Sequence, residues 1–168
     1  GLLNRPDKTF QIPDSPVRHQ FRVLVKAGVQ EFDDTLELWP RQEQIEKAER
    51  VLLSLGLKAD TKVVGFVMGS SPKWPTKRWP PGHYRELARR ILDRYDARIL
   101  LLGSGEEEVF ASEFRDFDSD RVVNLFGKTG IEDLPAFFQK MHFVVSGDTA
   151  LLHVAAAIQL QAQLLNHP

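Results

Sequence analysis

Residues 62–84 read KVVGFVMGSSPKWPTKRWPPGHY: a buried strand, a polar loop and the start of a helix. Val63, Val64, Phe66, Val67 and Met68 form the short apolar run of a strand covered on both faces. Gly69 ends it. Ser70 and Ser71 bring hydroxyls and backbone N–H groups to the turn. Lys73, Lys77 and Arg78 then place three cations within six residues. Pro80 and Pro81 precede a helix starting near Gly82, since proline suits a first helical turn. In an open parallel sheet, ligands bind beyond the carboxyl ends of the strands. A loop there with hydroxyls, N–H groups and fixed cations suits a phosphate or diphosphate. A solvated basic loop with Trp74 and Trp79 packed beneath it accounts for the same residues, and the loop alone leaves both readings open.

Downstream the pattern alternates. The Gly82–Asp96 helix carries Tyr84, Leu87, Ala88, Ile91, Leu92 and Tyr95 on one stripe. Arg98–Leu102 is a strand stopped by Gly103-Ser104-Gly105. Glu106–Phe117 reads as a helix with Val109, Phe110, Phe114 and Phe117 inward. Arg121–Leu125 is a third strand, Ile131–Lys140 a helix, His142–Ser146 a fourth strand and Thr149–Ile158 an alanine-rich helix. Gln163–Leu165 begins a possible fifth strand. Strand–helix alternation implies an α/β fold with a parallel, Rossmann-like sheet. Upstream, residues 1–16 hold Pro6, Pro13 and Pro16 and read as an extended connector. Val17–Val29 has a helical face ending near Gly28. Arg41–Leu55 is a helix with Ile45, Ala48, Leu52 and Leu55 on one side and Gly56 as its C-cap. The expected organisation is residues 1–60 as connector and leading helices, and 61–168 as the Rossmann-like domain.

Composition sets outer limits. With 168 residues, 42% of them hydrophobic, and a net charge of −1, the chain suits a soluble globular domain rather than a general nucleic-acid binder. The absence of cysteine excludes disulfides and thiolate zinc sites. No apolar run approaches the ~20 residues of a membrane span. The first residues lack the apolar core of a signal peptide. The chain opens on Gly1 and stops at Pro168 in mid-pattern, which reads as a fragment or an engineered piece.

Other motifs carry less. Phe126-Gly127-Lys128-Thr129 ends like a phosphate-binding P-loop, but Val122 stands where the earlier glycine belongs. Thr129-Gly130-Ile131-Glu132 instead matches a capping box, with Thr129 as N-cap. Gly103-Ser104-Gly105 lacks the third glycine of a dinucleotide fingerprint. It still sets Glu106 just past a strand's carboxyl end, where a carboxylate can accept from ribose hydroxyls; simple preference for a helix N-terminus is the alternative. Ser146-Gly147-Asp148-Thr149-Ala150 again joins strand to helix. Asp148 or Thr149 either caps that helix or faces a ligand at its N-terminus. His153, one turn on, is either a ligand contact or a packed core histidine. The five histidines are scattered, which argues against a metal site, and no serine sits in a nucleophile elbow.

Taken in order, Gly69-Ser70-Ser71, Lys77-Arg78-Trp79-Pro80, LLLGSGEEE, NLFGKTGIEDL and VVSGDTALLHVAAA resemble glycosyltransferase family 9, best known for the ADP-heptose:lipopolysaccharide heptosyltransferases. The resemblance covers about Val17 to Ile158. It implies one half of a GT-B enzyme, the C-terminal, donor-binding domain. It further implies that Ser70 or Ser71 and Lys77 contact the donor diphosphate, that Glu106 binds the ribose, and that Lys128-Thr129 borders the adenine. Asp148, Thr149 and Ala150 would meet the phosphates and the heptose, with His153 beside them. Ala150 replaces the family's usual glycine, which would weaken the site if the position needed positive φ.

The implied reaction transfers heptose or a related sugar from a nucleotide diphosphate donor, ADP-heptose foremost, to a lipopolysaccharide core acceptor. No further cofactor and no metal are implied. The acceptor base would belong to an N-terminal domain outside this fragment, so no catalytic residue is assigned and the fragment alone is expected to be inactive. The implied location is cytoplasmic, with peripheral association at the cytoplasmic face of a Gram-negative inner membrane. Two alternatives stay open: the donor half of another GT-B enzyme using a UDP- or GDP-sugar, and a non-catalytic nucleotide-binding domain.

Overall fold

In a computed structural model, residues 22–30, 35–69, 78–158 and 162–164 are described. Residues 1–35 and 36–168 form two compact units. The described part of the first is a short helix, α1 (Arg22–Lys26), closed by Gly28 at φ +90°. Gly28 N–H reaches Val25 O and Val29 N–H reaches Leu24 O, the paired bonds of a left-handed helix stop. Leu24 and Val25, two apolar residues of the Val17–Val29 stretch read as helical, are exposed.

The second unit holds α2 (Gln42–Ser54), β1 (Lys62–Val67), α3 (Pro81–Arg94), β2 (Ala97–Leu102), a 3₁₀ helix (Gly105–Phe114), β3 (Val122–Asn124), α4 (Leu134–Phe138), β4 (Phe143–Ser146), α5 (Ala150–Ala157) and β5 (Ala162–Leu164). The five strands form one sheet in the order β3-β2-β1-β4-β5, and each neighbouring pair is parallel. The four strands expected from the pattern are all present. The fifth is there too, one residue earlier than read.

Period-two alternation sorts the strand residues into two cores. Val63, Val67, Leu100, Leu102 and Val144 pack on one face with Ala48 and Leu52 of α2, Phe137 and Phe138 of α4, and Ala155 of α5. Phe66, Ile99, Leu101 and Val145 pack on the other with Tyr84 and Ala88 of α3 and Phe114 of the 3₁₀ helix. Helix α2 is thus part of the sheet's own core. It ends as read, with Gly56 at φ +73° and bonds from Gly56 N–H to Leu53 O and Leu57 N–H to Leu52 O. Gly65 is the tight point of β1: a Cβ there would lie 2.5 Å from Met141 Sδ.

Four local expectations are corrected. Tyr95 is 56% exposed, because the chain leaves α3 at that residue in an extended conformation (φ −131°, ψ 140°) and takes the side chain off the helical stripe. The segment after Gly105 is a 3₁₀ helix, not an α-helix. Its three-residue repeat leaves Val109 69% exposed while Phe114 is buried. Helix α4 begins at Leu134, and Ile131 is 72% exposed. A helix starting at Ile131 would put Pro135 in its interior, with no N–H and its ring against a carbonyl one turn back, so the helix starts where Pro135 falls in the first turn. The Thr129–Glu132 capping box therefore does not form. Glu132 folds against Gly130, where a Cβ would meet its carboxylate at 2.7–2.8 Å. The Thr129 hydroxyl is buried and finds no hydrogen-bond partner among the described residues.

Helix α2 instead secures this turn. Gln44 Nε2 donates to Glu132 O at 2.6 Å, and Lys47 Nζ lies 2.6 Å from the buried Asp133 carboxylate. The hydrogen bond to Asp133 holds the Lys47 pKa above its ordinary value. No helix of the described residues is long and apolar enough to cross a membrane.

Candidate functional site

The strand order creates the site. Chain progression runs from β1 outward to β2 and β3 on one side, then returns to β4 and β5 on the other. The strand order therefore reverses between β1 and β4, and in open parallel sheets the ligand crevice lies at such a switch point, beyond the carboxyl ends of the strands. Register places three carboxyl ends level, since Val67 pairs with Leu102 of β2 and with Ser146 of β4.

The floor of the crevice is pinned by Tyr84. This side chain is 1% exposed, stacks edge-on against Trp79 with ring centroids 4.9 Å apart, and donates from its hydroxyl to Val67 O at 2.9 Å. Burial raises the phenol pKa, and the Gly147 backbone amide facing its oxygen opposes that shift only in part. One hydroxyl on α3 thus addresses the ends of both β1 and β4.

On the β4 side, Thr149 occupies the N-cap position of α5 in an extended conformation (φ −133°, ψ 162°) yet makes no side-chain cap bond. Its Oγ1 lies 3.2 Å from Ser146 Oγ, which also donates to Gly147 O at 3.0 Å. Thr149 therefore does not cap the first turn of α5, whose amides carry the partial positive charge of a helix N-terminus. Asp148 is exposed at this mouth. Ala150 is the first residue of α5 and exposed. Its helical backbone suits alanine, so Ala150 carries no conformational strain. His153, one turn further, is exposed, which removes the packed-core reading.

On the β2 and β3 side, Glu106 is exposed in the first turn of the 3₁₀ helix, with its backbone N–H donating to Ser104 Oγ at 3.3 Å. The β3 turn approaches it closely: Gly127 N–H bonds Gly103 O at 3.0 Å, and a Cβ on Gly127, at φ +65°, would stand 3.2 Å from Gly105 Cα. Lys128 is exposed and donates to Asn124 O at 2.9 Å. Glu106, Lys128 and Thr129 are thereby gathered on neighbouring turns. Ser70, Ser71, Lys73 and Lys77 lie outside the described residues.

The sequence reading passed over Glu107. Only 4% exposed, it accepts from Ser104 N–H at 2.8 Å and Ser104 Oγ at 2.6 Å, and pairs with Arg78 at 3.5 Å. The signal was present as Ser104-x-x-Glu107, a capping box lying one register step from the residue singled out.

The description Glycosyltransferase family 9 (heptosyltransferase) matches residues 15–162. The chain is 31% identical over 127 residues to lipopolysaccharide heptosyltransferase 2 of Salmonella typhimurium, covering 72% of this chain and 36% of that protein. It therefore spans about a third of the length of that relative. Among solved structures, a family 9 glycosyl transferase from Veillonella parvula superposes with a TM-score of 0.79 at 19% identity, over 95% of this chain and 46% of the other, a likeness of fold. Escherichia coli heptosyltransferase WaaC with ADP-2-deoxy-2-fluoro heptose superposes with a TM-score of 0.55 at 28% identity, over 70% of this chain and 36% of that one.

Proposed function

The chain belongs to glycosyltransferase family 9, and on that premise we propose that it is the donor-binding domain of a heptosyltransferase-like enzyme. Its donor is a nucleotide diphosphate sugar, ADP-heptose foremost, and its acceptor is a lipopolysaccharide core sugar. The observation that carries this reading is the β1/β4 switch point of the parallel sheet, where the N-terminus of α5 follows the carboxyl end of β4. WaaC, a relative by fold and sequence, was solved with an ADP-sugar analogue.

Each residue then has a role. Lys77, Ser70 or Ser71 and the α5 amides take the diphosphate. Glu106 accepts from the ribose hydroxyls. Lys128 and Thr129 border the base. Asp148, Thr149 and Ala150 meet the phosphates and the sugar, with His153 at the mouth. As the glycosidic bond breaks, negative charge grows on the leaving diphosphate. A fixed cation and oriented amides stabilise that charge without reorganising. The acceptor base is supplied from outside residues 36–168, and the working location is the cytoplasmic face of the inner membrane, where the acceptor is presented.

The test is calorimetric titration of ADP, UDP and GDP into the full-length protein, followed by transfer assays with ADP-heptose and a heptose-deficient core acceptor. ADP binding with turnover is expected. Tighter UDP or GDP binding would assign a different donor, and binding of ADP without any sugar transfer would leave a nucleotide-binding domain only.

A further inference from the structure

Asn124, the last residue of β3, ties together two elements of the candidate site. Its Nδ2 donates to Glu108 Oε1 at 2.8 Å, in the first turn of the 3₁₀ helix. Its Oδ1 accepts from Phe126 N–H at 3.0 Å, inside the turn that leads to Lys128 and Thr129. Its backbone carbonyl accepts from Lys128 Nζ at 2.9 Å. The main chain closes the same gap from the other side. Gly127 N–H bonds Gly103 O at 3.0 Å, and a Cβ on Gly127 would stand 3.2 Å from Gly105 Cα. The turn after β3 therefore lies against the start of the 3₁₀ helix, and the Asn124 side chain spans the two.

We propose that Asn124, through Glu108, is a positioning residue that fixes the spacing between Glu106 and the Lys128-Thr129 turn and so matches the site to a nucleoside. The inference rests on the donor-binding reading above. A nucleoside keeps its ribose hydroxyls and its base at a separation set by the glycosidic bond. Groups that meet both ends bind well only when they are held at a matching separation beforehand. Glu106 shares the first turn of the 3₁₀ helix with Glu108, so a tether on Glu108 also places Glu106. Lys128 and Thr129 follow closely on Phe126, whose amide the same side chain holds. Asparagine suits this post because one short planar group offers both a donor and an acceptor. Aspartate would keep the bond from Phe126 but set a second anion against the Glu108 carboxylate. Leucine, of similar size, would make neither bond.

The test compares Glu108→Ala, Glu108→Gln, Asn124→Leu and the Asn124→Leu/Glu108→Ala double variant in the full-length protein. Calorimetric titration should show ADP affinity about fivefold lower in Glu108→Ala and in Asn124→Leu. The double variant should lose no more than the worse single, because both break one linkage. Glu108→Gln keeps an acceptor in place and is expected to stay within about twofold of wild type. With ADP-heptose, the donor KM of Glu108→Ala should rise while kcat stays within about twofold, since the nucleoside lies away from the bond that breaks. Without ligand, amide hydrogen exchange at Phe126 and Gly127 should speed up about fivefold in Glu108→Ala, which leaves the bonds of both amides in place. If Asn124→Leu fails to fold, the two variants of the exposed Glu108 carry the same readouts. Losses that multiply in the double variant, or a fall in kcat with KM unchanged, would overturn the positioning role. A wild-type protein that binds no ADP would overturn the donor reading, whereas wild-type ADP affinity kept by every variant would overturn the positioning role alone.

Discussion

The Tyr84 hydroxyl donates to the Val67 carbonyl at 2.9 Å, at the point where β1 and β4 part company. Val67 is the last residue of β1, so a helix side chain satisfies strand backbone at the mouth of the crevice. Removing the hydroxyl leaves a buried carbonyl short of a donor. Tyr84→Phe is expected to cost about 1 kcal/mol at neutral pH, read by urea denaturation.

The same phenol makes stability sensitive to alkali. Its folded pKa is raised above the ordinary 10.0 by burial. Below pH 10 both states hold the proton and the contribution is complete. As pH rises further the unfolded chain ionises first, and stability falls. Melting curves should drop more steeply above pH 10 for the parent than for Tyr84→Phe; parallel curves would show that the phenol does not set this slope.

Lys77 is expected to be the principal cation for the diphosphate. Lys73 precedes Trp74-Pro75, and proline biases that tryptophan toward an extended backbone away from the helix start. Arg78 is engaged by Glu107. A charge-assisted contact is worth roughly 1.5–3 kcal/mol, so Lys77→Ala should weaken ADP binding by about one to two decades. Lys73→Ala should change it several-fold at most, mainly at low salt. Equal losses in calorimetry would reduce the loop to a diffuse basic patch.

Gly65 tests the packing of β1. An added methyl would press on Met141 Sδ at 2.5 Å, with Leu102 Cδ1 and Val144 Cγ2 both at 3.3 Å. Gly65→Ala is expected to destabilise by about 1–3 kcal/mol through overpacking, with a lowered melting temperature. An unchanged or higher melting temperature would mean that Met141 swings aside at no cost.

Thr129 separates stability from binding. Its buried hydroxyl lacks a partner among the described residues, so the isosteric Thr129→Val should leave melting unchanged or raise it slightly. Where the hydroxyl serves the nucleotide, ADP affinity should fall several-fold in the same variant. Lower stability with unchanged affinity would give Thr129 a purely structural role.

What the chain determines by itself is what short-range chemistry controls. Apolar runs such as Val63–Met68 and Arg98–Leu102 declare strands covered on both faces, and the stripe from Tyr84 to Leu92 declares the helix between them, because period and propensity act over a few residues. Gly56 announces its helix stop for the same reason. The ordered motifs likewise carried the family. Tertiary structure decided the rest. That β4 lies beside β1 is a pairing across more than seventy residues, and it alone puts the switch point of the sheet at the carboxyl ends of these two strands. Whether Glu106 or Glu107 turns inward depends on a 3₁₀ rather than α path, and on Gly69, Gly103 and Arg78 converging from distant segments to accommodate a buried charge. Such a charge is stable only where the whole fold supplies its donors, and no local stretch of sequence records that.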